Sequence, residues 1–417
     1  MKLSAVVSDV SNSLKNYFQA TGLVAYAGSQ LFILVVLLKS GGFRAAGDFA
    51  LSQAIIAPIF GFAAFSLRPY WVSGVIRNLD MYQFFQLRII SILGGSGIIF
   101  IAKQVFFPSA DGAIFFMVFA LKAHELISDI FYAALDVAGR SATAGKLLMG
   151  KAFAIGICGG SCFVIGASIT AFQYAIYFTI VFVLILELRV VAFNVSSLVN
   201  ALVVKRTRLI SLFRLISWAS ASSVVASVTG FLPRYFLEEL HGREAVGYYS
   251  TAAALGTVVL MICTGLAQTE LGRFSAAYSR GDWPQFSGIL RRNTFLLAGL
   301  MLVAACSAAG STIALELWNQ NFLAPKIGYE ISVLLILFFP LYLAQLLSYA
   351  VMPLARIRET FILALVSLLL QAAVSSTFIR WHELYGAVAA SVIGGFVQSV
   401  GFSFLLYRYF YLRRLPG

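Results

Sequence analysis

Charge is what this chain has least of. Only 11% of its 417 residues are Asp, Glu, Lys or Arg, against about 25% in a soluble globular protein. Apolar residues make up 60%, and the mean hydropathy is +0.89. A surface built from so few charges excludes a soluble fold and points to an integral membrane protein. Histidine is scarcer still. The three His residues are far apart, with no HExxH pair and no metal-ligand cluster, which argues against zinc hydrolase chemistry. A Gly-rich loop ending in Lys-Ser/Thr is also missing, so no P-loop ATPase is expected. The four cysteines, Cys158, Cys162, Cys263 and Cys306, lie in apolar runs and read as packing residues rather than a disulfide framework or metal site. Large external loops are absent too, and with them the Asp/Glu-bearing loop expected of a membrane glycosyltransferase or polymerase. No catalytic residue, metal or cofactor is therefore expected. Residues 1–16 hold Lys2, Asp9 and Lys15 without a continuous apolar core, so no cleavable signal peptide is expected there.

What the chain does have is a succession of apolar runs. A hydrocarbon core of about 30 Å needs about 20 mostly apolar residues per helix. By that measure there are about twelve spans, near 18–38, 48–66, 86–107, 113–135, 147–168, 171–192, 213–235, 248–269, 293–315, 331–352, 361–379 and 386–407. The longest connections, near 67–85 and 270–292, are expected to form short interfacial helices. With the N-terminus inside, 22 Lys and Arg residues fall on the cytoplasmic side and 7 on the outer side, Lys122 remaining within the membrane. The positive-inside rule then places both termini in the cytoplasm. The net charge of +13 is spread singly over short loops, which is a topology signal and not a nucleic-acid-binding stripe.

The densest basic run, Lys205-Arg206-Thr207-Arg208, lies at the midpoint. It divides the chain into residues 1–204 and 205–417, two six-helix bundles of the same orientation. A local repeat supports duplication. Gly42, Ala45, Ala46, Gly47, Phe49 and Ala50 fall at the same offsets as Gly242, Ala245, Val246, Gly247, Tyr249 and Ser250. Gly42, Gly47, Gly242 and Gly247 are expected to be hinge positions, glycine being free to adopt positive φ. The expected fold is all-α, with about 12 transmembrane helices in two bundles around a central cavity.

Charges inside a membrane need partners or water. Span four carries Lys122, Glu125, Asp129, Tyr132 and Asp136 at steps of three and four residues, one stripe of a helix that therefore avoids lipid. Two readings stand side by side: a neutralised stripe that knits helices together, or the wall of an aqueous cavity for an anion or a coupling ion. His124 lies off the stripe and reads as a packing residue. Arg234 follows Pro233 in span seven, where a freed backbone carbonyl and a guanidinium fork suit a phosphate, while pairing with Glu238 is the structural alternative. Arg68-Pro69 ends span two. Glu187 and Arg189 read as a local pair at the inner end of span six.

These residues carry a resemblance. Leu232-Pro233-Arg234-Tyr235-Phe236, the Gly242–Ser250 turn, Gln268-Thr-Glu-Leu271-Gly-Arg273-Phe and Gly47-Asp48-Phe49-Ala50-Leu51-Ser52-Gln53-Ala54 resemble the core of bacterial polysaccharide-unit (O-antigen, Wzx-type) flippases. Those belong to the multidrug/oligosaccharidyl-lipid/polysaccharide exporter superfamily. The resemblance implies a multi-pass protein of the bacterial inner membrane that moves a polyprenyl-pyrophosphate-linked oligosaccharide to the outer leaflet by alternating access. It implies a cationic cavity, for which Lys122, Arg234 and Arg68 are the substrate-binding candidates. Glu125 and Asp129 are the coupling-ion candidates, for H+ or Na+. Expected partners are the lipid-linked oligosaccharide, membrane lipids, a polysaccharide polymerase and a chain-length regulator; nucleic acid is not among them. The alternatives are a multidrug cation antiporter, which would want a buried carboxylate in the first spans, a murein-precursor flippase, and a membrane glycosyltransferase or polymerase.

Overall fold

The computed structural model describes residues 2–64, 68, 71, 81–108, 111–166, 168–191, 206–317, 332–354 and 356–411. Among the described residues the regular structure is helical throughout. The helices are α1 (Lys2–Ala64), α2 (Met81–Phe106), α3 (Gly112–Val137), α4 (Ser141–Ile165), α5 (Ile169–Val191), α6 (Arg206–His241), α7 (Arg243–Arg280), α8 (Trp283–Leu317), α9 (Phe339–Val351) and α10 (Ile357–Tyr411).

Ten continuous runs become twelve helical segments because α1 and α10 each contain a break. In α1 it falls at Gly42, with φ 65° and ψ −165°. In α10 it falls at Glu383, with φ 44° and ψ −113°. The apolar parts of these helices, Thr21–Ala64 and Ile357–Tyr409, run for 44 and 53 residues, about twice what one bilayer crossing needs. Each supplies two spans. Further spans come from α2, α4, α5, α8 and the Ser332–Leu354 segment that contains α9. The more polar α3, α6 and α7 complete the expected twelve.

The chain divides into two compact units, Met1–Ser227 and Val228–Gly417. The expected boundary at 204/205 lies within the stretch 192–205, outside the described residues. So does most of the 67–85 connection.

In the first unit, the first limb of α1 runs parallel to α4. Lys146 sits over the Phe18 ring at 5.4 Å, and Lys39 donates to the Phe163 carbonyl at 3.3 Å. Between them Gly22 packs so closely that a Cβ there would lie 2.5 Å from the Gly145 carbonyl oxygen. Small residues permit this kind of backbone approach between membrane helices. The second limb runs parallel to α3. Asp48 accepts from the Asp111 N–H at 3.5 Å near one end, and Arg68 reaches Asp136 near the other. Asp111 also caps α3, accepting from the N–H groups of Ala113 and Ile114 at 2.8 and 3.2 Å.

The second unit reproduces the first break. Gly242, between α6 and α7, has φ 81° and ψ −177°. Gly42 and Gly242 thus share a backbone conformation that is essentially open to glycine alone. The sequence repeat is a repeat of geometry. Gly47 and Gly247, by contrast, lie in regular helix. The stretch 270–292 differs from expectation. It is helical on both sides of one tight turn at Gly281, φ 68°, rather than an interfacial connection. The apolar rings of Phe274 and Phe286 are fully buried beneath that turn, and their packing extends α7 and α8 through it.

A buried charge network in the first unit

The stripe on α3 meets partners from four other helical segments. Lys122 pairs with Glu125 at 2.8 Å. The first limb of α1 adds Tyr26, whose hydroxyl donates to Glu125 Oε1, and Gln30, whose amide donates to the same oxygen at 2.7 Å. One turn further, Asp129 accepts from Arg68 at 3.3 Å and from Arg88 of α2 at 3.2 Å. Arg68 also holds Asp136 at 2.9 Å. Arg88–Asp129–Arg68–Asp136 is therefore one alternating chain of charges.

On the neighbouring face of α3, Glu187 of α5 is fully buried. It accepts from Ser128 Oγ at 2.7 Å and from the Tyr132 hydroxyl, and His124 Nε2 lies 3.3 Å from it. Lys151 of α4 stands close by, its ammonium 4.6 Å from the centre of the Tyr26 ring. The Glu125 and Glu187 carboxylates are the anions that act on it, yet neither comes within 4.0 Å.

The tally is four cations (Arg68, Arg88, Lys122, Lys151) against four carboxylates (Glu125, Asp129, Asp136, Glu187). An isolated charge taken out of water costs several kcal/mol, so balance is what makes such a cluster tolerable. It is also why α3 alone looked unbalanced: one lysine against several carboxylates on its own helix, with the missing cations at Arg68, on α2 and on α4.

Several sequence expectations change here. Arg88 was assigned to the cytoplasmic end of span three, but α2 starts at Met81, which carries Arg88 about two turns into the helix. It is 1% exposed and also donates to the Ala63 carbonyl at 3.0 Å. Lys151 was counted as a cytoplasmic loop charge and is 2% exposed. Glu187 is no interfacial partner of Arg189; it faces the bundle, and Arg189 is exposed. His124 is buried as expected, but against a carboxylate. A signal existed for these three residues. Each is a lone charge within a helical turn or two of an apolar span, a position that inside-positive counting treats as loop.

The second unit is different in kind. Pro233 lies inside α6, where it cannot donate to the carbonyl four residues before it, that of Thr229. Gln371 of α10 supplies the missing donor, its Nε2 lying 3.0 Å from Thr229 O. Freed and re-satisfied in this way, the backbone continues without a break to His241. Arg234 donates to Ser250 Oγ at 3.1 Å and lies over the rings of Phe231 and Tyr249 at 4.8 and 5.8 Å. The expected alternative partner Glu238 is taken by Arg243 at 3.3 Å. Among the described residues Arg234 thus has no carboxylate within 4.0 Å. Tyr249, beneath it, meets Ser391 at 3.2 Å, and neutral contacts recur elsewhere in the unit: Gln268 with Tyr349 at 3.1 Å, Ser367 with the Gly394 carbonyl at 2.9 Å.

Of the sequence-derived site residues, Lys122, Arg68, Glu125 and Asp129 are brought into one network, and Arg234 stands in the other unit. No group of His, Cys, Asp or Glu among the described residues is arranged to hold a metal.

No protein-family model matches the sequence, and no curated protein sequence matches it. The fold does have solved counterparts. The structure is similar to the outward-facing conformation of a multidrug resistance MATE family transporter of the MOP superfamily, with a TM-score of 0.67 and 13% identity over 96% of both chains. Against the inward-facing conformation of a MATE family transporter the TM-score is 0.57, at 14% identity over 96% of both. A MOP superfamily transporter from Pyrococcus furiosus, described as having a binding pocket of reversed polarity, gives 0.62 at 13% identity, covering 96% of this chain and 95% of that one. The chain is a multi-pass membrane protein by its apolar helices, and its fold is the one these solved structures share.

Proposed function

We propose that this protein moves an anionic, lipid-linked substrate across the membrane by alternating access. The substrate best matched to the sequence resemblance is a polyprenyl-pyrophosphate-linked oligosaccharide for surface-polysaccharide assembly, carried from the cytoplasmic to the outer leaflet of a bacterial inner membrane. The observation that carries the reading is the sign of the unpaired charge. Every carboxylate in the first unit's network has a cation or several hydrogen-bond donors. Lys151 and Arg234 are cations with no carboxylate within 4.0 Å among the described residues. A guanidinium that no carboxylate engages suits a diphosphate, which an Arg fork binds through two oxygens.

In this reading Lys122 and Arg68, with Lys151 beside them, are the diphosphate contacts of the first unit, and Arg234 is the candidate contact of the second. A diphosphate that draws Lys122 or Arg68 away leaves Glu125 or Asp129 short of a cation. Each would then take up a proton or Na+, and ion uptake becomes linked to substrate binding. A polysaccharide polymerase and a chain-length regulator would act on the delivered unit.

The test is glycan export in a strain lacking its own flippase. Arg234→Ala and Lys122→Ala should each lower export at least tenfold at unchanged protein level, while Arg234→Lys retains part of it. Normal export by both alanine variants would remove these residues from the substrate path.

A second reading has one observation in its favour. The solved counterparts include multidrug resistance transporters. A cation antiporter needs a carboxylate released from its cationic partners, so it predicts drug resistance that depends on Glu125 or Asp129 and not on Arg234.

A further inference from the structure

The stretch around the Gly281 turn carries basic residues that the transport reading does not use. Glu270 and Arg273 lie on α7; Arg291 and Arg292 lie on α8. One carboxylate serves two guanidiniums: Glu270 accepts from Arg273 at 2.9 Å and also from Arg292. Arg280 is turned to Gln285 at 3.0 Å. Arg291 is exposed and has no hydrogen-bond or ion-pair partner among the described residues. The patch therefore keeps positive charge that the protein itself does not neutralise, at what the inside-positive distribution makes the cytoplasmic end of these helices.

Directly above it a groove of about 480 Å³ runs up α8, lined by Arg292, Phe295, Leu296, Gly299, Leu300 and Val303. Phe295 and Val303 are 71% and 64% exposed, and Gly299 leaves a notch in which an added Cβ would meet nothing within 4 Å. From Arg292 to Val303 the rise is about 16 Å at 1.5 Å per residue. Half of a hydrocarbon core of about 30 Å is about 15 Å. The groove is thus as deep as one leaflet, with its basic end at the interface and its apolar end near the midplane.

We propose that this groove binds an anionic phospholipid of the inner leaflet, headgroup on Arg291 and Arg292 and one acyl chain over Gly299. The match in length favours a bilayer phospholipid over a polyprenyl chain, which would outrun the groove. Charge selects the headgroup, because juxtamembrane Arg and Lys gain about 1 kcal/mol each from anionic lipid. The site does not depend on what the protein transports.

Native mass spectrometry of the full-length protein in mild detergent tests it, with dioleoylphosphatidylglycerol and dioleoylphosphatidylcholine as probes. Phosphatidylglycerol should bind at least fivefold more tightly. The double variant Arg291→Gln, Arg292→Gln should bring the two lipids within twofold of each other. Gly299→Phe, which fills the notch on an exposed helix face, should weaken phosphatidylglycerol at least threefold with the arginines intact, and Gly299→Ala should weaken it less. Equal affinity for the two lipids in the unaltered protein, or a preference that survives the arginine double variant, overturns the headgroup assignment. Unchanged binding in Gly299→Phe overturns the acyl groove. Displacement of phosphatidylglycerol by a polyprenyl diphosphate at equal concentration overturns the choice of a bilayer phospholipid as occupant.

Discussion

The two units share a backbone device and little interior chemistry. Both turn on a glycine of nearly the same conformation, Gly42 at φ 65° and Gly242 at φ 81°. Yet the first unit fills its interior with paired full charges, Arg88 and Asp129 among them, while the second pairs Arg243 with Glu238 and otherwise uses amides, hydroxyls and the guanidinium of Arg234. The difference teaches where a duplicated membrane fold is free to change. The turn geometry constrains the sequence tightly, because almost no residue but glycine adopts it. The interior constrains only polarity balance, which can be met by ion pairs or by neutral hydrogen bonds.

The largest effect expected from this contrast is at Arg88. Removing a buried partner leaves Asp129 with one cation fewer and the Ala63 carbonyl without its donor. Arg88→Ala should cost about 3–5 kcal/mol, read as the denaturant midpoint of the protein in detergent. Gln371→Leu is the second unit's counterpart and should cost less, about 1–3 kcal/mol, since it orphans a neutral carbonyl. Equal losses at the two positions would break the distinction between a charged and a neutral interior. Gly42→Ala and Gly242→Ala should each cost about 1–3 kcal/mol, the strain of that backbone region. Similar values at both would sharpen the duplication, and a cost at only one would undermine it. The smallest effect belongs to the surface: Arg356→Ala breaks a pair with Glu359 at 4.0 Å and should shift stability by less than about 1 kcal/mol.

Much of the fold was legible in the sequence. Twelve apolar runs, tied together by alternating loop charge, became twelve helical segments, and the Gly42/Gly242 repeat became a shared turn. The stripe of α3 could be placed because helical spacing alone aligns Lys122, Glu125, Asp129 and Asp136 on one face. What lay beyond reading was the partnership across helices. Arg88, Lys151 and Glu187 sit near span ends, where sequence gives each the same appearance as an anchoring charge; only the start of α2 at Met81 and the packing of α4 and α5 on α3 turn them inward. Pro233 illustrates the same point. Its freed carbonyl was foreseeable, but the donor is Gln371, 142 residues from that carbonyl in sequence.

The most direct test of the transport reading is reconstitution of the purified protein into liposomes with two probes. One is a fluorescent polyprenyl-diphosphate sugar in the membrane; the other is a lipophilic drug cation in the lumen. The Arg234 guanidinium, engaged by no described carboxylate, predicts flipping of the diphosphate lipid, at least tenfold slower in Arg234→Ala, and no efflux of the cation. Efflux of the cation without movement of the diphosphate lipid would contradict it.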